Sequence, residues 1–460
     1  MIKLFNHHFH AWTLRRIWFD FGLSLLALSG VVLAQLESSQ PALLLAGGPV
    51  LTLAAGLFVI NGASGLYRRT PDASMGASAW RVAIAIAMSL LLAHHVLGLL
   101  PVGLGNLDAI RGSAMGVIVA LILRRAALGY WARQSRAGAR VLVFGAGPTA
   151  RMVGASLRAA DPLSSVVGYF PGPNERDLAV PLAERLSPAM SLTQTARRLG
   201  VDEIVVALTE RRGGSMPLRE LLDCKLAGIR VLDISTYFER MLGQIRIDFV
   251  NAGWLVFGDG FVQGGLRSVV KRLFDLLCSL LLIVLASPLM LLAAIAIKLD
   301  SPGAVFYRQQ RVGAHDKAFM VTKFRSMRSD AEQDGKPRWA AAGDGRITRV
   351  GQVIRRLRID ELPQLFNVLA GSMSLVGPRP ERPFFVKQLT AEIPYYAARH
   401  SIKPGVTGWA QVRYQYGSTV EDSREKLQYD LYYVKNHSLL LDLLILFQTV
   451  GVVLTGKGAR

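Results

Sequence analysis

The sequence predicts a membrane protein in three parts: a four-helix transmembrane region, a cytoplasmic parallel α/β domain, and a membrane-associated α+β domain containing a re-entrant helix. Three observations predict it. Of 460 residues, 51% are hydrophobic and only 19% charged, and the mean hydropathy of +0.32 exceeds that of ordinary soluble chains. Four apolar blocks open the chain, and a strand–glycine–helix pattern follows them. The formal net charge is +20, which fits cytoplasmic loops, anionic lipid headgroups or phosphorylated substrates. The basic residues are not gathered beside aromatic positions, so no nucleic-acid partner is expected.

The apolar blocks run roughly over Ile17–Leu36, Ala42–Ile60, Val82–Leu100 and Ala109–Leu123. Three approach the ~20 residues that a spanning helix needs; the fourth is shorter. More spans follow the first block and no small-residue cleavage site is evident, so it is not read as a signal peptide. Lys3, Arg15 and Arg16 precede the first block, Arg68, Arg69 and Arg81 separate the second and third, and Arg124, Arg125, Arg133, Arg136 and Arg140 follow the fourth. The two remaining loops, Glu37–Pro41 and Pro101–Asp108, hold no Lys or Arg. The asymmetry places the N-terminus and everything after Arg124 in the cytoplasm. Residues 1–128 therefore form the spans.

Arg140 to Leu157, "RVLVFGAGPTARMVGASL", reads as strand, glycine turn and helix, with Gly145, Gly147 and Ala150 at dinucleotide-fingerprint spacing. "VVGYF", "DEIVVAL" and "GIRVLDI" alternate with helical stretches, which predicts a Rossmann-like parallel sheet over residues 129–240 and a linker over 241–266. No acidic residue follows the second strand near Phe170 to hold a ribose, so the turn reads as a cofactor site or simply as a tight connection. Cys224 and Cys278 imply neither a disulfide framework nor a zinc site. His7 to His10, "HHFH", reads as interfacial decoration or as a metal-binding cluster.

Lys271 to Asp300 is the strongest apolar segment. Length alone makes it a fifth span. However, Ser287-Pro288 breaks its midpoint, where proline removes a backbone donor, and basic residues flank both ends (Lys271, Arg272 and Lys298). A crossing would also carry the basic remainder of the chain outside. The expectation is a re-entrant helix over 271–299, with Asp275 paired to Lys271 one turn earlier.

From Arg267 onward there are 28 Lys and Arg against 16 Asp and Glu, an excess suited to phosphate. "GAVFYRQQRVG" and "KAFMVTKFRSMRSD" read as two strands joined by a turn, and "ITRVGQVIRRLR" as an amphipathic helix. Asp360-Glu361 then precedes Pro363 and a short helix over Leu362–Ala370, with Gly371 at its end. Taken alone, the acidic pair is ordinary N-capping. Beside the stiff "GPRPERP" loop with Arg379 and Arg382, it also suits magnesium-assisted phosphoryl transfer at a bilayer surface.

Residues Lys271 to Thr455 resemble the bacterial sugar transferase family, the polyprenyl-phosphate hexose-1-phosphate transferases. The resemblance rests on "KRLFDLLCS", the Ser-Pro break, "SPGAVFYRQQRVG", "KFRSM", "DELPQLFNVLAGSMSLVGPRPERP", "IKPGVTGWAQV" and "DLYYVKNHSLLLDL", in that order. It implies a phosphoglycosyl transferase domain over 267–460 in a long-form, multi-pass protein of the bacterial inner membrane, with exopolysaccharide or O-antigen assembly as its role. The substrates implied are a UDP-hexose and polyprenyl phosphate, and a homodimer is expected. Asp360 is expected as nucleophile, Glu361 as ligand of Mg2+, and Lys323, Arg325, Arg379 and Arg382 as phosphate contacts. Arg358 and Ile359 depart from the residues common in the family. Trp409 or a tyrosine near it is a candidate uracil stack, and Ser438–Leu454 reads as an interfacial helix.

Two other functions compete. A membrane NAD-dependent nucleotide-sugar dehydratase or epimerase needs a Tyr-x-x-x-Lys pair, and no tyrosine here has lysine four positions on. A non-enzymatic scaffold would leave Asp360 dispensable.

Overall fold

A computed structural model describes residues 2–4, 7–9, 11–35, 40–67, 75–98, 106–134, 138–160, 164–173, 175–208, 216–249, 260–261, 264–328, 344–414, 417 and 419–455. The chain divides into two compact units, His10–Phe249 and Met1–Phe9 together with Val250–Arg460.

The first unit opens with helices α1 (Ala11–Leu33), α2 (Gln40–Ala63), α3 (Met75–Gly98) and α4 (Leu107–Gln134). Leu28, Leu53, Ala85, Ile110 and Ile118 interlock inside, whereas Leu26, Leu51, Leu91 and Leu123 face outward. An apolar exterior around an apolar core is the signature of lipid-facing helices. Arg15–Leu33, Ser78–Gly98 and Leu107–Trp131 are long and apolar enough to cross a membrane, and Gly47–Ala63 is a shorter apolar stretch. The structure extends the fourth block to Gln134 because Arg124 and Arg125 continue the helix. Both reach the buried Asp20, at 3.0 and 3.6 Å, so a charge that burial would penalise is paired. Arg68, Arg69 and most of the two uncharged loops lie outside the described residues.

Strands β3 (Arg140–Phe144), β4 (Ser165–Phe170), β5 (Glu203–Val206) and β6 (Arg230–Asp233) form a parallel sheet in the order β4-β3-β5-β6; β1 (Ile2–Leu4) and β2 (His7–Phe9) pair antiparallel in the other unit. Helices α5 (Pro148–Ala160), α6 (Leu192–Arg198), α7 (Leu218–Leu226) and α8 (Ile234–Leu242) cover the sheet. Val141, Val143 and Val205 pack with Ala150, Val153 and Phe238; Leu142, Phe144 and Val206 pack on the other face with Leu192, Ala196 and Cys224. Strand alternation thus feeds two cores, which is why these strands read as continuous apolar runs. The glycine turn is closed from within. Glu175 accepts hydrogen bonds from the backbone N–H groups of Ala146 (2.7 Å), Gly147 (2.8 Å) and Gly172 (3.2 Å). A carboxylate of the chain itself stands where a dinucleotide pyrophosphate would meet the helix N-terminus, which favours the tight-connection reading of this turn.

The second unit is built on α9, Gly265–Asp300, a continuous helix through Ser287-Pro288. Pro288 cannot donate to the Val284 carbonyl; the Ser287 hydroxyl donates to it instead, at 2.8 Å. Asp275 pairs with Lys271 at 3.1 Å, as expected. Strands β7 (Phe306–Val312) and β8 (Ala318–Phe324) form the expected hairpin. There follow α10 (Arg349–Arg356), a 3-10 turn at Ile359–Glu361, α11 (Gln364–Leu369) and β9 (Ser374–Val376). After these come α12 (Pro383–Glu392), β10 (Gly405–Thr407) parallel to β9, α13 (Trp409–Arg413), α14 (Val420–Asn436) and α15 (Leu439–Thr455). Helix α15 packs one face into this unit. Leu441 and Ile445 are fully buried, Thr449 bonds Thr407, and Asp442 reaches Lys271 at 3.0 Å and the Tyr433 hydroxyl at 2.6 Å.

Candidate active site

The acidic pair sits where three elements converge: the end of β8, the 3-10 turn and the loop after β9. Arg358, at φ +59°, turns the chain sharply after α10 and sets Asp360 and Glu361 in the turn. Ile359 anchors that turn by packing with Ala293 and Ile297 of α9, Phe324 of β8 and Ile354 of α10. Capping is not the role of the pair. Helix α11 starts after Pro363, whose side chain has no acceptor, with no side-chain cap, and the Glu361 oxygens are engaged elsewhere. Oε1 accepts from Lys323 Nζ at 2.9 Å and from Arg379 Nη2 at 2.7 Å, and Oε2 lies 3.6 Å from Arg358.

The two carboxylates therefore differ electrostatically. Burial opposes the charge on Glu361, but Arg379, Lys323 and Arg358 outweigh it and hold the carboxyl well below its ordinary range. Asp360 makes no hydrogen bond or ion pair with any other described residue. Burial and the neighbouring Glu361 charge push its carboxyl up to about 6, against the pull of Lys323, Arg355 and Arg379. Burial lowers Lys323, and Glu361 pulls it back. One acid is pinned and charged. The other is half-buried, without a hydrogen-bond or ion-pair partner among the described residues and pushed up to about 6, an arrangement suited to a reactive group.

The structure thus brings Lys323, Arg379, Asp360 and Glu361 together, and corrects two other expectations. Arg325 is buried, and its guanidinium is spent on the end of α9: it donates to the carbonyls of Pro302 (2.6 Å), Ser301 (2.6 Å) and Ile297 (3.3 Å). It closes a helix C-terminus rather than receiving phosphate. Trp409 is fully buried, stacked on Tyr432 and covered by Arg413 at 4.3 Å, so it offers no face to a base. Arg382 opens α12, its carbonyl accepting from Val386 N–H at 3.0 Å. Sequence reading missed Asn367, which ties α11 to β8 by bonding Thr322 N–H and the Met320 carbonyl. It also missed Arg272, which donates to the Val368 and Leu369 carbonyls at the end of α11. An amide inside "QLFNVL" was the available signal for Asn367; nothing in sequence spacing joins Arg272 to a helix nearly a hundred residues away.

Residues 266–456 match the bacterial sugar transferase family. A Rhizobium leguminosarum bv. phaseoli exopolysaccharide production protein, PSS, is 44% identical over 199 residues, covering 41% of this chain and 98% of that protein. The chain belongs to the bacterial sugar transferase family. Two longer members of the family are also similar. A UDP-N-acetylgalactosamine-undecaprenyl-phosphate N-acetylgalactosaminephosphotransferase of Aeromonas hydrophila is 48% identical over 242 residues, covering 53% of this chain and 56% of that one. A UDP-glucose:undecaprenyl-phosphate glucose-1-phosphate transferase of Klebsiella pneumoniae is 37% identical over 272 residues, 58% of each chain. The match thus spans about half the length of these two sugar transferases.

Proposed function

We propose that this protein transfers hexose-1-phosphate from a UDP-hexose to undecaprenyl phosphate at the inner face of the bacterial cytoplasmic membrane, releasing UMP. The reading makes it the initiating step of exopolysaccharide or O-antigen repeat-unit assembly, carried out by a homodimer as the family resemblance implies. The observation that carries the chemistry is the division of labour between Glu361, held by three cations, and Asp360, held by none. An Asp360 oxygen attacks the phosphorus that bears the sugar. The bond from that phosphorus to the bridging oxygen breaks, UMP leaves with the electron pair, and an acyl phosphate forms on Asp360. An oxygen of the polyprenyl phosphate then attacks the same phosphorus and restores the carboxylate. A covalent relay suits a soluble donor and a lipid-held acceptor, because they need not bind together. Lys323 and Arg379 face the developing charge.

Among the described residues no cluster of three or more acidic, His or Cys side chains exists for a metal. The pair fits only an ion that completes its shell with substrate oxygens and water, the ordinary habit of Mg2+. The Glu361 Oε2 would hold it, and it would offset diphosphate charge.

The re-entrant reading of α9 belongs to the same proposal. Its beginning is tied to α11 through Arg272 and to β9 through Asp275, which accepts from Leu375 N–H. Its end, Met290 to Ile297, packs against Phe324, Ile354 and Ile359 of the same unit. Between them Leu277, Leu281, Val284 and Leu285 are exposed. A helix whose two ends grip one folded body supports entry and return. Cysteines placed at Lys271 and Asp300 are expected to label from the same face of sealed vesicles; labelling from opposite faces would remove re-entry. The transfer itself is tested with a panel of UDP-sugars and polyprenyl phosphate. UMP release that depends on both substrates is expected with at least one donor, and its absence across the panel sinks the reading.

A further inference from the structure

Arg379 reaches Glu361 from an unusual piece of backbone. Pro378 and Pro380 flank it and supply no N–H, yet three successive carbonyls of this loop each receive a donor. Pro378 accepts from Gly405 N–H at 3.0 Å, Arg379 from Arg399 Nη2 at 2.8 Å, and Pro380 from Arg311 Nη1 at 3.0 Å. The middle donor is the most elaborately held. Arg399 is buried, its guanidinium lies over the Tyr396 ring and donates to that tyrosine's hydroxyl at 2.6 Å, and it pairs with Asp430 at 2.8 Å. Asp430 is 2% exposed, in the "DLYYVKN" stretch of α14. Lys426 and Glu381 are the other charges that act on it. A buried Arg–Asp pair is a poor device for stability, since well-packed apolar side chains do as well. Its distinctive product here is a fixed Arg379 carbonyl.

We propose that Asp430 is a positioning residue for the transfer: it holds Arg399, which holds the Arg379 carbonyl, so that the Arg379 guanidinium stands at Glu361 before the donor arrives. The inference rests on the reading of Asp360 as nucleophile and names how the phosphate-facing cation beside it is set. Two rigid prolines transmit the restraint, because the loop cannot relax by rotating about φ at either neighbour.

The test uses the full chain in detergent or vesicles and compares Asp430→Asn with Val434→Ala. Val434 is fully buried one turn along the same helix, so its truncation costs stability without touching the relay. Asp430→Asn is expected to lower donor kcat/KM about tenfold beyond Val434→Ala, with the loss carried mainly by donor KM, because Arg379 faces the donor phosphate. Val434→Ala should lower Tm and leave donor KM in place. Should Asp430→Asn fail to fold, Arg399→Lys serves. Its ammonium keeps a charge for Asp430 but cannot also span to the Tyr396 hydroxyl and the Arg379 carbonyl, so the same rise in donor KM is expected. A donor KM that coincides with wild type, with no rate loss beyond the control, overturns the proposal. Mass spectrometry of wild-type protein trapped with donor separates the two readings. A phosphosugar on Asp360 with an unmoved donor KM sinks the relay alone; no adduct on Asp360 sinks the mechanism beneath it.

Discussion

Asp360→Asn is expected to lower UMP release by at least about 10³-fold and, at the same time, to make the protein more stable. The first effect follows from removal of the attacking oxygen, since the amide cannot form the acyl phosphate. The second follows from the carboxyl being pushed up to about 6 from an ordinary 3.8. An acid whose folded-state pKa is raised favours the fold when neutral and opposes it when charged. The penalty is absent below about pH 4, grows as pH rises to about 6, and is complete above. Asn is neutral throughout, so its advantage over Asp is full above pH 6 and fades toward pH 4. A gain of about 1–2 kcal/mol is expected at neutral pH, read as a higher Tm or denaturation midpoint. The same ionisation sets the wild-type rate, which should fall as pH drops through about 6. A variant with near-normal turnover would remove Asp360 as nucleophile. One that is inactive but no more stable than wild type would show that the site compensates the charge by other means.

Glu361→Ala is expected to act on both quantities in the same direction. Glu361 is 7% exposed and neutralises Lys323, Arg379 and Arg358. Removing one partner of a buried pair leaves uncompensated charge and costs about 3–5 kcal/mol. Activity should fall about 10²- to 10³-fold, as when a preorganised electrostatic group is lost. The residual activity carries a diagnostic sign. Glu361 is one of the two influences that raise Asp360, so in its absence the acid limb moves down. Lys323, which Glu361 pulls upward against burial, falls further. The measurements are urea unfolding and the pH dependence of UMP release; an upward or unmoved limb would contradict the charge assignment of the pair.

Much of this protein was legible because its strongest signals are local. Apolar runs near spanning length, the strand–turn–helix of residues 140–157, the hairpin over 306–324 and the acidic pair before a short helix are all patterns of neighbouring residues, where periodicity and turn chemistry speak directly. The failures share one cause. Arg325 and Trp409 were read as ligand-facing from their types and motif positions, but exposure is decided by what packs from afar: the end of α9 takes the guanidinium, and Tyr432 and Arg413 close over the indole. The Asp360-Glu361 pair was legible as residues, but not which of the two is held, because the cations that claim Glu361 come from 38 positions before it and 18 after.

By itself the sequence determined the layout of elements, the membrane class, the family and the identity of the acidic pair, since these follow from composition, spacing and motif. Only the tertiary structure decided which carboxylate is held and which is free, which arginine is spent on a helix end, and that Glu175 fills the glycine turn. The physical reason is that a charge's state depends on desolvation and on partners a few ångströms away in space, and chain order alone does not say who those partners are.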